Sequence, residues 1–397
     1  MMSYMVSVET AKNILEANLI DGKITLCPLL ESLGFVLSED IFSPIDIPSF
    51  DNSAMDGYAI RWEQGNGSRK LQTQSMMRAG ETNHTTIQTG EAIRIFTGAP
   101  TPTGADTIIP QEYVTVQNGS IHFDWERFEK GANFRKIGAQ NRQGDLIAEK
   151  GTVVSPGMVG LLASVGISEV PVYAAPKVGL LLTGDELVEV GQPLSFGKIY
   201  NANGPILNTY FRDLGISNIS IYKAVDEPER LQIILHELLE EVDVLVISGG
   251  ISVGDYDFVK KGLENEGVEE LFYKVSQKPG KPLWVGRTET QWVFALPGNP
   301  ASTLTCFNQY VKPCLEAWMG KKNTFQPMGT FPLQTDFSKK GALTFFLKAK
   351  LENGSIKVLP GQESFNLIAY GNANGIAEIP KDLDFLPKGT MVRFYSW

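Results

Sequence analysis

Apolar residues recur at three- and four-residue spacing from Thr10 to Leu19 and again from Leu26 to Leu33, the period of helices with one buried face. The spacing predicts two amphipathic helices at the start of the chain. From Pro44 to about Gln143 the pattern changes. Thr, Gly and Asn are frequent, and short β-prone runs such as Ala92 to Phe96 and Thr107 to Ile109 stand between turns, which predicts a small β domain inserted into the first domain. Helical spacing returns from Ser155 to Val165, followed by a strand at Pro171 to Ala175, so the interrupted domain is expected to be completed there. Strand and helix patterns then alternate through Val178 to Leu182, Gly204 to Leu214, Ile219 to Ala224, Glu229 to Glu241 and Val244 to Ser248. Such alternation predicts a doubly wound α/β sheet with binding groups at the strand C-termini. From about Gln326, short alternating strands split by turns such as Glu352-Asn353-Gly354 predict a C-terminal β barrel or sandwich. The expected domains are therefore 1–44 with 144–175, then 45–143, 176–325 and 326–397.

A chain of 397 residues exceeds what one core usually supports, which agrees with several domains. With 43% hydrophobic and 20% charged residues it has the make-up of a globular protein. No apolar run approaches the roughly 20 residues needed to span a bilayer, and the N-terminus lacks a signal-like apolar stretch, so a cytoplasmic location is expected. A formal charge of -10 argues against nucleic acid or anionic lipid as partner, while leaving room for a local basic pocket that takes a phosphorylated small molecule. The three cysteines, Cys27, Cys306 and Cys314, are too far apart to suggest a disulfide framework or zinc site and read as buried apolar residues. His84, His122 and His236 show no metal-ligand spacing.

Candidate chemistry gathers at strand ends. Val178 to Leu182 runs into Thr183-Gly184-Asp185-Glu186-Leu187, and Val244 to Ile247 runs into Ser248-Gly249-Gly250-Ile251-Ser252-Val253-Gly254. Glycines there let backbone approach a ligand, and loop amides and hydroxyls can bond phosphate oxygens; either loop alone could equally be a tight turn. Asp185, Glu186, Asp226, Asp255 and Asp257 surround these loops and would repel a phosphate unless Mg2+ bridges them, with Asp185, Asp226 and Asp257 as the candidate metal ligands. Helix capping is the alternative for any one of them, notably Asp226 before Glu227-Pro228. Lys278 and Lys281, on the stiff Lys278-Pro279-Gly280-Lys281-Pro282 turn, suit a pyrophosphate or metal oxoanion, although exposed lysines are commonly just solvated. Pro297-Gly298-Asn299-Pro300 precedes a helical pattern from Ala301 to Met319, whose free amides are expected to face an anion.

In their order and spacing, Thr183 to Leu187, Ser248-Gly249-Gly250 with Ser252, Gly254 and Asp257, Lys278 to Pro282 and Pro297 to Pro300 resemble the molybdopterin-binding domain. Upstream, Asp51-Asn52-Ser53-Ala54-Met55-Asp56-Gly57-Tyr58-Ala59 and Thr97-Gly98-Ala99-Pro100, followed by Gly104-Ala105-Asp106 and Gln111-Glu112, resemble the inserted domain of molybdopterin molybdenumtransferases and of the gephyrin E domain. The resemblance runs from about residue 5 to 397. It implies an elongated homodimer in which the inserted domain of one subunit completes the pterin cleft of the other. Asp56 and Thr97 would thereby approach Asp185, Asp257 and Lys281. An Asx-turn is the alternative role for Asp56. The implied reaction consumes adenylylated molybdopterin and molybdate with release of AMP, and the pterin supplies the sulfur ligands of molybdenum. Its implied catalytic group is Asp56, Thr97, Glu186, Asp226, Asp257, Lys278 and Lys281. Pterin binding would fall to Thr183, Gly184, Asp185, Ser248, Gly249, Gly250, Ser252, Gly254 and Pro297 to Pro300.

Three departures from the family pattern stand out. After Asn133-Phe134-Arg135 the usual Gly-Glu-Asp is replaced by Gly138-Ala139-Gln140, so no carboxylate role carries over there. Near Ser364 and Ala373-Asn374-Gly375 the usual hydroxyl pair is Ile368-Ala369, and Lys348 stands where an Arg is usual. Three other functions share the α/β domain or the fold: a molybdopterin adenylyltransferase, whose relatives lack the inserted and C-terminal domains, a pterin-binding scaffold or carrier, and nucleotide cleavage as in the nicotinamide-nucleotide amidase relatives. An adenylyltransferase is also a possible partner.

Overall fold

The computed structural model describes residues 5–62, 71–80, 85–224, 227–250 and 258–397. Two compact units result, one from Cys27–Val170 and one from Met1–Leu26 with Pro171–Trp397.

The first unit is built on a six-stranded sheet in the order Thr107–Pro110, Gly57–Ile60, Glu91–Ile95, Leu71–Met77, Ser120–His122, Thr115–Gln117. Successive residues of a strand point to opposite faces, so Ala59, Ile93 and Ile108 join one cluster with Met77 and Ile95. Their neighbours Ile60, Ala92 and Ile109 join another with Leu71 and Ile121. The helix Pro156–Ser164 starts at Ser155, whose hydroxyl accepts from the Met158 amide at 3.2 Å.

One expected helix is absent. Leu26 to Leu33 forms the end of a strand, Ile24–Pro28, and a single 3-10 turn, Leu29–Glu31. Pro28 biases the residue before it to extended backbone and offers no amide to a helix, and Leu26, Leu30 and Leu33 are exposed. The N-terminal helix does form, at Val8–Ala17, capped by Ser7 and burying Val8, Ala11 and Leu15.

In the second unit, the α/β sheet has the order Ile219–Ala224, Val178–Thr183, Val244–Ser248, Trp292–Leu296, Trp284–Arg287, Glu269–Tyr273. Its first four strands are parallel and its last two antiparallel, so the sheet is mixed where the helix and strand alternation suggested a doubly wound sheet. Leu180, Leu182, Val246 and Phe294 pack on Leu207 and Phe211 of the helix Asn203–Asp213 and on Phe307 and Tyr310. Leu181, Leu245, Ile247 and Val293 pack on Leu231, Leu235 and Leu238 of Pro228–Glu241 and on Val259 and Leu263. The Ala301 to Met319 pattern is a helical run of Pro300–Cys306, a π-helical turn Phe307–Val311 and Lys312–Trp318.

The same unit carries a second sheet in the order Gln277–Lys278, Thr344–Glu352, Gly375–Ile379, Met391–Ser396, Gly329–Pro332, with Ser355–Val358 also on Thr344–Glu352. Leu333 bridges Ile356, and the Gln334 amide donates to the Ile356 carbonyl at 2.8 Å, which brings Ser355–Val358 beside the end of Gly329–Pro332. Among the described residues no helix is long and apolar enough to cross a membrane.

Candidate active site

Register decides where the site lies. Leu182 stands beside Ser248, and Ser248 beside Leu296, so three adjacent parallel strands end at one level and their loops converge. A cavity of about 470 Å³ opens there, walled by Thr183, Gly184 and Glu186 from the first loop, Ser248, Gly249 and Gly250 from the second, and Pro297 to Pro300 from the third. Gly249 has φ +98°, and a Cβ on it would meet the Thr183 carbonyl and hydroxyl oxygens at 2.7 Å. Only glycine fits that conformation and that gap.

The helix Asn203–Asp213 supplies a fourth wall that the sequence reading did not single out. Asn203 Nδ2 donates to Ser248 Oγ and to the Gly298 carbonyl, both at 2.8 Å, and so ties two of the loops together. Asn201 Oδ1 accepts from the Gly204 amide at 3.0 Å. Two asparagines directly before Gly204-Pro205, where a helix begins, were the available signal. Thr183 Oγ1 and Asn203 Oδ1 are buried with no partner among the described residues. Both residues line the cavity, and buried polar atoms are nearly always bonded in a working protein.

Glu186 borders the cavity with its carboxylate folded over Gly184, where a Cβ would meet it at 2.8 Å. Asp185 does not border it. Its residue lines a neighbouring recess of about 200 Å³ with Lys223 and Arg230, and its carbonyl accepts from Lys198 Nζ at 2.6 Å. Asp226, Ser252, Gly254, Asp255 and Asp257 lie outside the described residues. Among the described residues no group of three potential metal ligands occurs.

Lys278 and Lys281 are exposed and do not border the cavity, although Pro282 does. Their turn is anchored by buried Gln277, whose Nε2 donates to the Pro279 and Gly280 carbonyls at 3.1 Å. Neither lysine makes an ion pair among the described residues, and Lys278 Nζ lies 5.2 Å from the Phe345 ring centre.

The first amides of the helix after Pro297 to Pro300 are engaged within the fold. Pro300 has no amide proton, the Ala301 amide donates to the Ser364 carbonyl, and the Ser302 and Thr303 amides donate to the Asn299 carbonyl. Thr303 Oγ1 also donates to the Pro297 carbonyl at 2.5 Å.

In the other unit, Asp56 and Thr97 meet. Asp56 Oδ1 accepts from the Thr97 amide at 2.8 Å and from its hydroxyl at 2.7 Å, in place of an Asx-turn within its own loop. These bonds, first the amide and then the hydroxyl, together with nearby Arg94, hold the exposed carboxyl below its ordinary pKa. Arg94 itself donates to the Gly57 carbonyl at 3.2 Å and lies over Tyr58 and Phe96.

The remaining candidates are structural. All three cysteines are buried and form no disulfide, and burial raises the thiols of Cys306 and Cys314, which disfavours thiolate chemistry. His236 Nδ1 lies 2.9 Å from Glu266. Gln140 is exposed, and Ala369 is buried.

Comparison with known proteins converges on one family. The MoeA N-terminal region (domain I and II) matches residues 6–166, a probable molybdopterin binding domain matches 179–317, and the MoeA C-terminal region (domain IV) matches 330–397. A molybdopterin molybdenumtransferase of Haemophilus influenzae is 40% identical over 300 residues, 75% of this chain and 74% of the relative. One from Staphylococcus epidermidis is 32% identical over 94% of this chain and 90% of its own length. The crystal structure of a molybdopterin biosynthesis MoeA protein from Pyrococcus horikoshii superposes with a TM-score of 0.86 at 32% identity, covering 99% of each chain. From its N-terminal unit to its C-terminal sheet, the chain belongs to the MoeA family of molybdopterin molybdenumtransferases.

Proposed function

We propose that this enzyme inserts molybdenum from molybdate into adenylylated molybdopterin and releases AMP. The observation that carries the reading is the cavity at the parallel strand ends, where Thr183 Oγ1 and Asn203 Oδ1 stand buried and unpartnered among the described residues. A pterin offers ring donors and acceptors to such atoms, and the glycine backbones of Gly249 and Gly250 let a flat ring approach closely. Holding the reactants in register then contributes much of the rate. Water opens the phosphoanhydride, so AMP leaves and the pterin keeps its own phosphate; the two dithiolene thiols displace one oxygen of molybdate, the second substrate, and that oxygen leaves as water with their two protons. Lys278 and Lys281, with no ion pair among the described residues, suit the incoming oxoanion.

Mg2+ belongs to the same reading. Glu186 is a carboxylate at the cavity wall, and oxygen donors shared with phosphate are what that ion takes. Glu186, with Asp185, Asp226 and Asp257 by their sequence position, would hold it. Bound there, it would neutralise charge on the leaving phosphate.

We read the active form as a homodimer whose cleft is completed by the partner subunit's Asp56 and the partner subunit's Thr97. The helix Pro156–Ser164 supports a covered interface: it is apolar on all sides, yet Leu162 is its sole buried residue. Leu30, 86% exposed, and Leu33, Phe42, Leu146 and Val153 add exposed apolar area in the same unit. Sedimentation should give twice the chain mass, and Val159→Asp should give the monomer. The four-part division at 44, 144, 176 and 326 belongs to the same reading. So does a cytoplasmic place, with a molybdopterin adenylyltransferase as supplier, because the substrate must first be adenylylated.

The decisive assay is AMP release from purified adenylylated molybdopterin. Release that needs both molybdate and Mg2+, with molybdenum retained on the pterin, supports the insertion reading. Binding without release makes the protein a pterin carrier.

A further inference from the structure

Lys348 lies on the strand Thr344–Glu352, and its residue is 1% exposed. An ammonium group has three N–H donors and no acceptor. All three have partners here: the carbonyls of Gly361 at 2.7 Å, Glu363 at 2.9 Å and Asn366 at 2.9 Å. Gln362 reinforces the grip, accepting from the Lys348 amide at 3.0 Å and donating to the Lys348 carbonyl at 2.9 Å.

The segment so held reaches the cavity wall. Its Ser364 carbonyl accepts the Ala301 amide at 3.3 Å. A few residues on, Tyr370 OH donates to the Ala301 carbonyl at 2.9 Å and lies 2.7 Å from Thr305 Oγ1. Lys348 Nζ stands 5.2 Å from the centre of the Tyr370 ring. Ala301 follows directly on Pro297 to Pro300, the third wall of the cavity. Both polar groups of the Ala301 backbone are thus held from the connection between the strands Ser355–Val358 and Gly375–Ile379.

We infer that Lys348 is a positioning residue, which gathers the 361–366 segment so that Ser364 and Tyr370 set the Pro297 to Pro300 wall against the pterin. With every N–H engaged it has no donor for an oxoanion. The inference rests on the reading of the cavity as the pterin site, but the coupling from Lys348 to the wall stands without it.

Hydrogen exchange on the ligand-free protein reads that coupling directly. Lys348→Met should raise exchange across 297–306 by about 10-fold, because amides protected through a local structure exchange when it opens. Gln362→Leu, which leaves the ammonium in place, should do the same to a smaller degree and keeps the test available if Lys348→Met does not fold. Lys348→Arg should fall between wild type and Lys348→Met, since a planar fork does not match three carbonyls around one point. In steady state, the KM for adenylylated molybdopterin should rise about 10-fold with kcat little changed, as expected when a binding wall shifts. Half-saturation by molybdate should stay where it is. Unchanged exchange at 297–306 with faster exchange at 359–367 overturns the coupling. A raised molybdate requirement with an unchanged pterin KM overturns the role and makes Lys348 an oxoanion ligand. If even the wild type binds no pterin, the function proposed above falls, while the exchange result still decides the coupling.

Discussion

The cavity at the parallel strand ends and the Asp56 loop of the other unit hold polar chemistry in opposite ways. Around the cavity stand glycine backbone, Asn203 bridging Ser248 and Gly298, and two buried atoms with no partner among the described residues. Its shape rests on packing: Gly249 touches Thr183, and both sheet faces are covered. At Asp56 the side chain is exposed, and two donors from Thr97 hold a single carboxylate oxygen. A built recess selects by shape and unmet hydrogen bonds, whereas an exposed carboxylate acts by charge. Substitutions in the first should therefore disturb folding and binding together, and substitutions in the second should disturb turnover alone.

Gly249→Val tests that contrast with the largest effect. A β-branched residue at φ +98° is strained and would collide with Thr183. We expect about 1–3 kcal/mol lost in thermal unfolding, and a fall in kcat/KM of more than about 100-fold from the displaced loop. A Tm within error of wild type would show that the turn is not held by packing. Asp56→Asn comes next. It should keep a Thr97 contact and an unchanged Tm, yet reduce AMP release by roughly 100-fold or more if the charge takes part in proton or metal handling. A normal rate removes Asp56 from the mechanism.

Asn203→Leu should be milder. It deletes two bonds worth about 1 kcal/mol each, so the pterin KM is expected to rise about 10-fold while kcat changes little. A drop in kcat alone would make Asn203 more than a strap between loops. The smallest effect is a shift in pH dependence. The folded pKa of Asp56 is lowered, so its contribution is present above the ordinary carboxylate pKa of about 3.9 and is lost as pH falls through the lowered value. Thr97→Val keeps the amide bond and removes the hydroxyl bond. The acid limb of the rate profile should move upward, towards the ordinary value, and an unmoved limb would assign it to another group.

Much of this was legible along the chain because it is local. Apolar periodicity placed Val178–Thr183, Ile219–Ala224, Pro228–Glu241 and Val244–Ser248 to within a residue or two. Loop chemistry placed Thr183-Gly184 and Gly249-Gly250 at strand ends. Leu26 to Leu33 misled for an equally physical reason: helical spacing was there, but Pro28 interrupts it and the leucines face outward. Asp56 and Thr97 were singled out by family likeness, and their bond spans 41 positions that no local pattern connects. Asn203 was missed because its partners, Ser248 and Gly298, are 45 and 95 residues away.

The division follows from what a short segment can encode. Turn glycines, helix starts and strand periods depend on neighbours a few residues apart, so the sequence by itself determined the elements, the family and the loops that bear chemistry. Hydrogen-bond partners depend on register and packing between distant segments. Only the tertiary structure decided that three strand ends stop at one level, that the amides after Pro300 are engaged by Ser364 and Asn299, and that Lys348 gives all its donors to backbone carbonyls. A lysine in a sequence is a charge with three donors; which acceptors it meets is settled when the chain around it has folded.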